Sequence, residues 1–410
     1  MTRTFLARNP SVLWFLLALA LFTLAITLMS EAYGAALVST SFVKTLGKTL
    51  CLCLVALAMD LVWGYVGILS LGHMAFFALG GYMIGMWLMY ARTEEIVIAA
   101  MANEALPATA EEIRQGIATQ IFGVVGASEL PPIWAFAHSL PLQLALVVLV
   151  PGSLALIFGW LAFRSRVTGV YLSILTQAMT LAAALYLFQN DSGLRGNNGL
   201  SGLQNIPGLG DVPQADLSIW FFWASALMLG AVYVGLAWVV SGKFGSVIRA
   251  IRDDEQRVRF LGYPVEGYKL FVFTLTAVIA AIAGALYYPQ AGIINPAELA
   301  PIASIYLAVW VAIGGRGRLY GAVIGAAFVS QLSSWFTGGR APSINLGAYT
   351  VNWVDWWQIL LGLSFVLVTL FAPKGIGGLF DLLQGLRPPN RHGDPLGPGD
   401  GALMEKEAVE

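Results

Sequence analysis

Charge is scarce in this sequence. Asp, Glu, Lys and Arg make up 11% of the 410 residues, and 58% are hydrophobic. A soluble globular domain has roughly a quarter of its residues charged, so that class is excluded. Alternating apolar segments of about ten residues are also missing, which excludes an outer-membrane barrel. The net charge of -1 comes with no basic block that would suit nucleic acid. Three histidines form no metal or Ser/His/Asp constellation. The two cysteines, Cys51 and Cys53, lie about 200° apart around a helix, so they read as small packing residues rather than a pair. A phosphate-binding loop is absent too. Gly47-Lys48-Thr49 has Phe42 where such a loop needs glycine, and no strand precedes it. If ATP powers anything here, another chain hydrolyses it, and this chain is expected to bind no cofactor.

Long apolar runs are what the sequence does have. A hydrocarbon core of about 30 Å takes roughly 20 apolar residues in a helix. Ten such runs lie near 12–30, 45–66, 71–90, 141–162, 168–189, 219–240, 270–290, 301–314, 319–337 and 356–372. The expected fold class is therefore all-α, a polytopic helical membrane protein with about ten membrane segments. Arg3 and Arg8 before residues 11–29 suit a signal peptide or a first span, and the length of the run favours a retained span. With the N-terminus inside, the short cytoplasmic segments collect thirteen Lys and Arg, and the opposite side only Lys44, Arg92, Arg114, Arg195 and Arg340. Both termini are then cytoplasmic. Residues 1–380 read as one transmembrane domain with an acidic external loop at 91–140. Within that loop ATAEEIRQGIA suits a short amphipathic helix. The stretch 381–410 is rich in Pro, Gly and charge and reads as a disordered cytoplasmic tail.

One island departs from the general shortage of charge. Between Arg249 and Arg259 seven of eleven residues are charged. Asp253 with Arg257 and Glu255 with Arg259 stand at i, i+4, while Val247, Ile248, Ile251, Val258 and Leu261 recur at helical spacing. The expectation is one amphipathic helix over 244–261, ended by Gly262 and Pro264. It lies in the cytoplasmic loop 241–269, between segments 6 and 7. Its apolar face can pack on the membrane domain and its charged face can meet water or a partner.

SGKFGSVIRAIRDDEQRVRFLG resembles the cytoplasmic coupling loop of ABC importer permeases in the branched-chain amino acid permease family. DLVWGYVGILSLGHMAFFALGG at 60–81, VTGVYLSILTQ at 167–177, GALYYPQAGIINP at 284–296, GGRG at 314–317 and PKGI at 373–376 resemble that family as well. RGNNGLSGL, DDEQRVRFLGY, the acidic loop and WFTGG look more like its urea-transporting branch. The resemblance implies a multi-pass permease of the cell inner membrane. Its expected partners are a second homologous permease subunit, two cytoplasmic ATPase subunits that use the ATP, and an external substrate-binding protein. It places Gly245, Asp253, Glu255 and Gly262 at the positions received by the ATPase.

A urea conduit needs amide, hydroxyl and aromatic groups rather than a charge. Tyr171, Ser173, Thr176 and Gln177 share one span, and Asn197 and Asn198 lie in the loop beyond it. Intramembrane polar groups are costly and often functional, yet Ser and Thr also bond to their own helix and Asn-Gly makes turns. His73 either lines the path or is a hydrogen-bonded histidine beside the break at Ser70-Leu71-Gly72. Asp60, near the cytoplasmic end of its span, reads as solvated or capping. Gly81 with Gly85 and Gly321 with Gly325 have the small-xxx-small spacing of packed helices. Rival readings are an amino acid permease of the same family and, from another class, a passive urea channel or ion-coupled carrier.

Overall fold

The computed structural model describes residues 10–31, 37–103, 109–125, 129–209, 212–338, 344–346, 349–351, 353–371, 375–376 and 378. Arg3, Arg8, Arg340, Lys374 and the expected tail at 381–410 lie outside the described residues. In chain order the helices are α1 (Pro10–Leu28), α2 (Thr40–Asp60), α3 (His73–Asn103), α4 (Ala110–Phe122), α5 (Leu140–Arg164), α6 (Val170–Phe188) and α7 (Gln214–Ser241). Then follow α8 (Lys243–Asp253), α9 (Glu255–Phe260), α10 (Val265–Ala291), α11 (Pro301–Gly314), α12 (Leu319–Thr337) and α13 (Trp353–Phe371). A π-helical turn, Leu61–Tyr65, continues α2. Eight of these helices are long and apolar enough to cross a membrane, and α11 and Trp356–Val368 of α13 are shorter apolar helices. Together they make the ten expected segments of a multi-pass helical membrane protein.

Helix α2 is the centre of the bundle. In its apolar window 83% of residues are buried, against 17% in α1 at the periphery. Small residues explain the difference, because Gly47, Cys51, Cys53, Ala56 and Ala58 let α7, α10 and α12 approach α2 closely. Cys51 Sγ lies 3.2 Å from Ser225 Oγ and Cys53 Sγ 3.5 Å from the Val323 carbonyl, so both act as packing residues. Gly284 of α10 faces the carbonyl oxygen of Phe77 on α3, and any Cβ there would collide with it. Gly81 sits against the Tyr288 ring, and Gly321 and Gly325 sit against α11, as their spacing led one to expect.

Contacts at the helix ends follow the alternating topology. At one end α8 touches the π-helical turn, and the turn between α11 and α12 meets Asp60. At the other end β1 (Leu200–Ser201) pairs antiparallel with β2 (Ile293–Ile294), and Lys44 Nζ donates to Gln214 at 2.9 Å. A further hairpin joins β3 (Ile344–Leu346) to β4 (Tyr349–Val351).

One expectation about the loops needs correction. The span expected at 71–90 continues as helix to Asn103, so the first part of the supposed loop 91–140 is helical. Hydropathy falls at Arg92, Glu94 and Glu95, but helix propensity does not. These residues anchor the extension instead: Arg92 Nη1 donates to the Gly202 carbonyl at 3.1 Å, and Glu95 accepts from Gly208 N at 2.6 Å. The amphipathic helix expected in the loop is α4, whose N-terminus carries a reciprocal cap between Thr109 and Glu112. The Thr109 backbone N–H holds the Glu112 carboxyl below its ordinary pKa. Trp134, fully buried, donates to the Gly193 carbonyl at 2.7 Å and ties the loop to the chain beyond α6.

Between the π-helical turn and α3, residues 66–72 are not helical. Ser173 Oγ donates to the Leu69 carbonyl at 2.6 Å, Leu71 N donates to Thr176 Oγ1 at 3.0 Å, and Met74 N to Ser304 Oγ at 3.2 Å. Irregular backbone at membrane depth is tolerated only where protein satisfies it in this way. His73 joins the end of the stretch to Thr276, which is eleven residues along α10 from Val265, or about 16 Å at 1.5 Å per residue. The stretch therefore climbs from one end of the bundle to its middle.

Candidate coupling surface and transport path

The charged island folds as two helices rather than one. Helix α8 buries Gly245, Ile248 and Ile251 and stops at Asp254, whose backbone is extended (φ -155°, ψ 96°). The Asp254 carboxylate caps α9 by accepting from Arg257 N at 3.1 Å. This break removes the expected Asp253–Arg257 pair. Arg257 pairs with Asp254 and Arg252 with Asp253, both at 3.0 Å. The expected Glu255–Arg259 pair is present at 3.0 Å.

Glu255 also accepts from Lys269 Nζ at 2.5 Å, and Arg259 reaches Glu266 at 2.9 Å. Glu255, Arg259, Glu266 and Lys269 thus brace α9 against the base of α10. Leu261 is the second correction: expected on the packing face, it is 76% exposed, beside Phe260 at 90%. Gly262 then turns the chain with φ +87°, a value that favours glycine. A cleft of about 720 Å³ adjoins Phe260, lined also by Arg166, Thr168, Asp254 and residues of α9.

The four residues singled out for coupling therefore occupy different settings. Gly245 is buried against the Val240 backbone, where a Cβ has no room, and Glu255 is engaged within the chain. Asp253 is exposed, with a side-chain accessibility of 67%, and Gly262 forms the exposed turn. Phe260 was missed because its spacing does not distinguish a packed face from an unpartnered one.

The candidate path residues do not converge. Tyr171 is 77% exposed at the start of α6, and Gln177 is half-buried two turns on. Asn197 and Asn198 are exposed in a 3-10 turn beyond the other end of α6. Ser173 and Thr176 are used by the backbone of residues 69–71. His73 is fully buried, with Nδ1 3.1 Å from Ser70 Oγ and Nε2 3.0 Å from Thr276 Oγ1, and Phe76 and Phe273 lie edge-on to its ring. These are the hydrogen bonds expected of a histidine beside the break at Ser70-Leu71-Gly72.

Two polar clusters inside the spans escaped notice, although a glutamine within an apolar run is a signal of one. Gln290 Nε2 donates to Ser225 Oγ at 3.1 Å and to the Leu286 carbonyl at 2.7 Å, close to Cys51. Gln331 Nε2 donates to Thr49 Oγ1 at 2.8 Å, and Ser330 Oγ lies 3.2 Å from Thr49 Oγ1. Asp60 is fully buried rather than solvated and caps Gly317 N at 2.6 Å.

A bundle of ten apolar helices with interrupted backbone at mid-depth and a charged, braced helix pair at one end defines a polytopic membrane permease. The chain belongs to the family described as branched-chain amino acid transport system / permease component, which matches residues 41–369. Among curated proteins it is similar to the autoinducer 2 import system permease protein LsrC of Yersinia pseudotuberculosis serotype O:1b (strain IP 31758). That similarity is 28% identity over 156 residues, covering 36% of this chain and 40% of the relative. The protein of the same name from Yersinia pestis (strain Pestoides F) is 29% identical over 157 residues, with the same coverage. No solved structure matches the chain.

Proposed function

We propose that this chain is the permease subunit of an ATP-driven ABC importer in the cell inner membrane, carrying urea or a related small amide inwards. The observation that carries the reading is the α8–α9 pair: a rigid element braced on α10 that presents Phe260, Leu261 and Asp253 outwards. Such a surface suits a partner that pushes or pulls on the membrane domain, and in this reading that partner hydrolyses the ATP. Two ATPase subunits, a second homologous permease and an external binding protein complete the proposed assembly. The relatives named for import support the inward direction. The urea assignment rests on the resemblance of RGNNGLSGL, DDEQRVRFLGY and WFTGG, and Gln177 and Asn198 are its proposed path residues.

The family description favours a second reading, a branched-chain amino acid as the substrate. Labelled-urea uptake in cells lacking this chain, with leucine as competitor and ATP depletion as a control, separates the two. Loss of ATP-dependent urea uptake is expected. Retained urea uptake with lost leucine uptake gives the amino acid permease, and transport that persists without ATP gives a channel or carrier.

A further inference from the structure

We infer that Arg252 is a positioning residue for transport, tying α8 to the π-helical turn so that residues 66–72 and the start of α3 follow α8 when it moves. The inference rests on the coupling role proposed for α8.

Arg252 Nη1 donates to the Gly64 carbonyl at 2.8 Å, a contact that spans 188 residues of sequence. Its Nε and Nη2 each lie 3.0 Å from Asp253 Oδ1, so the planar guanidinium is held from both sides. The side-chain stem lies on Gly67, where an added Cβ would stand 2.9 Å from Arg252 Cγ. Gly67 has φ +84°, so glycine suits this position on two counts.

The turn is also gripped by the connection between α11 and α12, whose Gly317 lies beside the Gly64 carbonyl and the Arg252 guanidinium. Gly317 N donates to Asp60, four residues before Gly64, and the Arg316 guanidinium lies 5.2 Å from the centre of the Trp63 ring. π-Helical turns are rare and are frequent at functional sites, and this one stands where α2 gives way to non-helical backbone. Beyond it, residues 66–72 are not helical and are held by Ser173 and Thr176 of α6, while Thr276 of α10 and Ser304 of α11 hold His73 and Met74 at the start of α3. Moving Gly64 therefore acts on a segment that can change shape and that leads to the middle of the bundle. A displacement of α8 enters this path through Arg252.

The test is hydrogen exchange on the assembled transporter with and without ATP. In the wild type, ATP is expected to change exchange both in α8 and in peptides spanning 61–72. In Arg252→Ala the α8 change is expected to persist, the 61–72 change to be lost, ATP hydrolysis to continue and uptake to fall. Arg252→Lys keeps the charge but not the fork and is expected to lose part of the 61–72 response; it serves as the readout if the alanine variant does not assemble. A 61–72 response that is absent in the wild type, or unchanged in the variant that assembles, overturns the relay. If α8 itself does not respond to ATP in the wild type, the coupling role is wrong and the relay falls with it. A purely structural role for Arg252 would lower thermal stability without separating the two responses, and that result also overturns the inference.

Discussion

Asp60 accepts the backbone N–H of Gly317 at 2.6 Å although 257 residues separate them. This one bond fixes the end of the central helix to the turn between α11 and α12. Gly317 has φ +79°, which lets the turn present its N–H to the carboxylate. The glycine-rich GGRG thus has a physical reason.

Replacing Asp60 by alanine leaves that buried N–H unpaired. The expected cost is about 1–3 kcal/mol of stability. Asp60→Asn retains an acceptor and should lose less. Thermal unfolding of the purified protein in detergent checks the order, and an asparagine variant as unstable as the alanine variant would contradict it.

Asp253 and Glu255 should respond differently to charge reversal, despite standing two residues apart. Asp253→Lys gives up the exposed pair to Arg252 and loosens the hold on that guanidinium, and it is expected to weaken ATPase association while leaving the chain folded. Glu255→Lys also breaks the pairs to Arg259 and Lys269. Its stability loss is put at roughly 1–3 kcal/mol, below the full buried-pair cost because a quarter of the Glu255 side chain is exposed. Pull-down of the ATPase and a melting curve on each variant separate docking from folding.

Phe260→Glu combined with Leu261→Glu should abolish ATP-dependent uptake without lowering the amount of chain in the membrane. Both side chains are exposed, so the substitution removes no core packing. Uptake at the wild-type rate in this variant would show that the apolar corner has no partner.

His73→Ala should destabilise the protein, because Ser70 and Thr276 lose a partner and a buried ring leaves a cavity. Substrate affinity per folded molecule should stay unchanged. A shifted KM at normal stability would return His73 to the transport path.

Glu298 lies in the 3-10 turn Pro296–Leu299 between α10 and α11, where burial raises its carboxyl above its ordinary pKa of 4.5. A raised folded value means that the folded state holds the proton more tightly than the unfolded one. This contribution to stability is fully present below the unfolded pKa and is lost as pH rises through the folded one. Glu298→Gln should flatten that part of the profile, as measured by melting temperature across the acidic range.

Much of this protein is legible in its sequence, because spans, caps and amphipathic faces depend on neighbours within a few residues. The ten apolar segments, the amphipathic helix α4, the Glu255–Arg259 pair and the small-residue contacts are all of this local kind. The continuation of α3 past Arg92 was hidden because hydropathy registers the membrane and not the helix. The break at Asp254 was hidden because i, i+4 spacing assumes an unbroken helix.

Sequence alone determined that this is a multi-pass helical protein with a charged helical element between its sixth and seventh segments, since solvation and helix periodicity act along the chain. Tertiary structure alone decided that Arg252 meets Gly64, that Asp60 meets Gly317 and that Phe260 and Leu261 face outwards. These relations join residues far apart in the chain or depend on what packs against a face, and neither is encoded in local spacing.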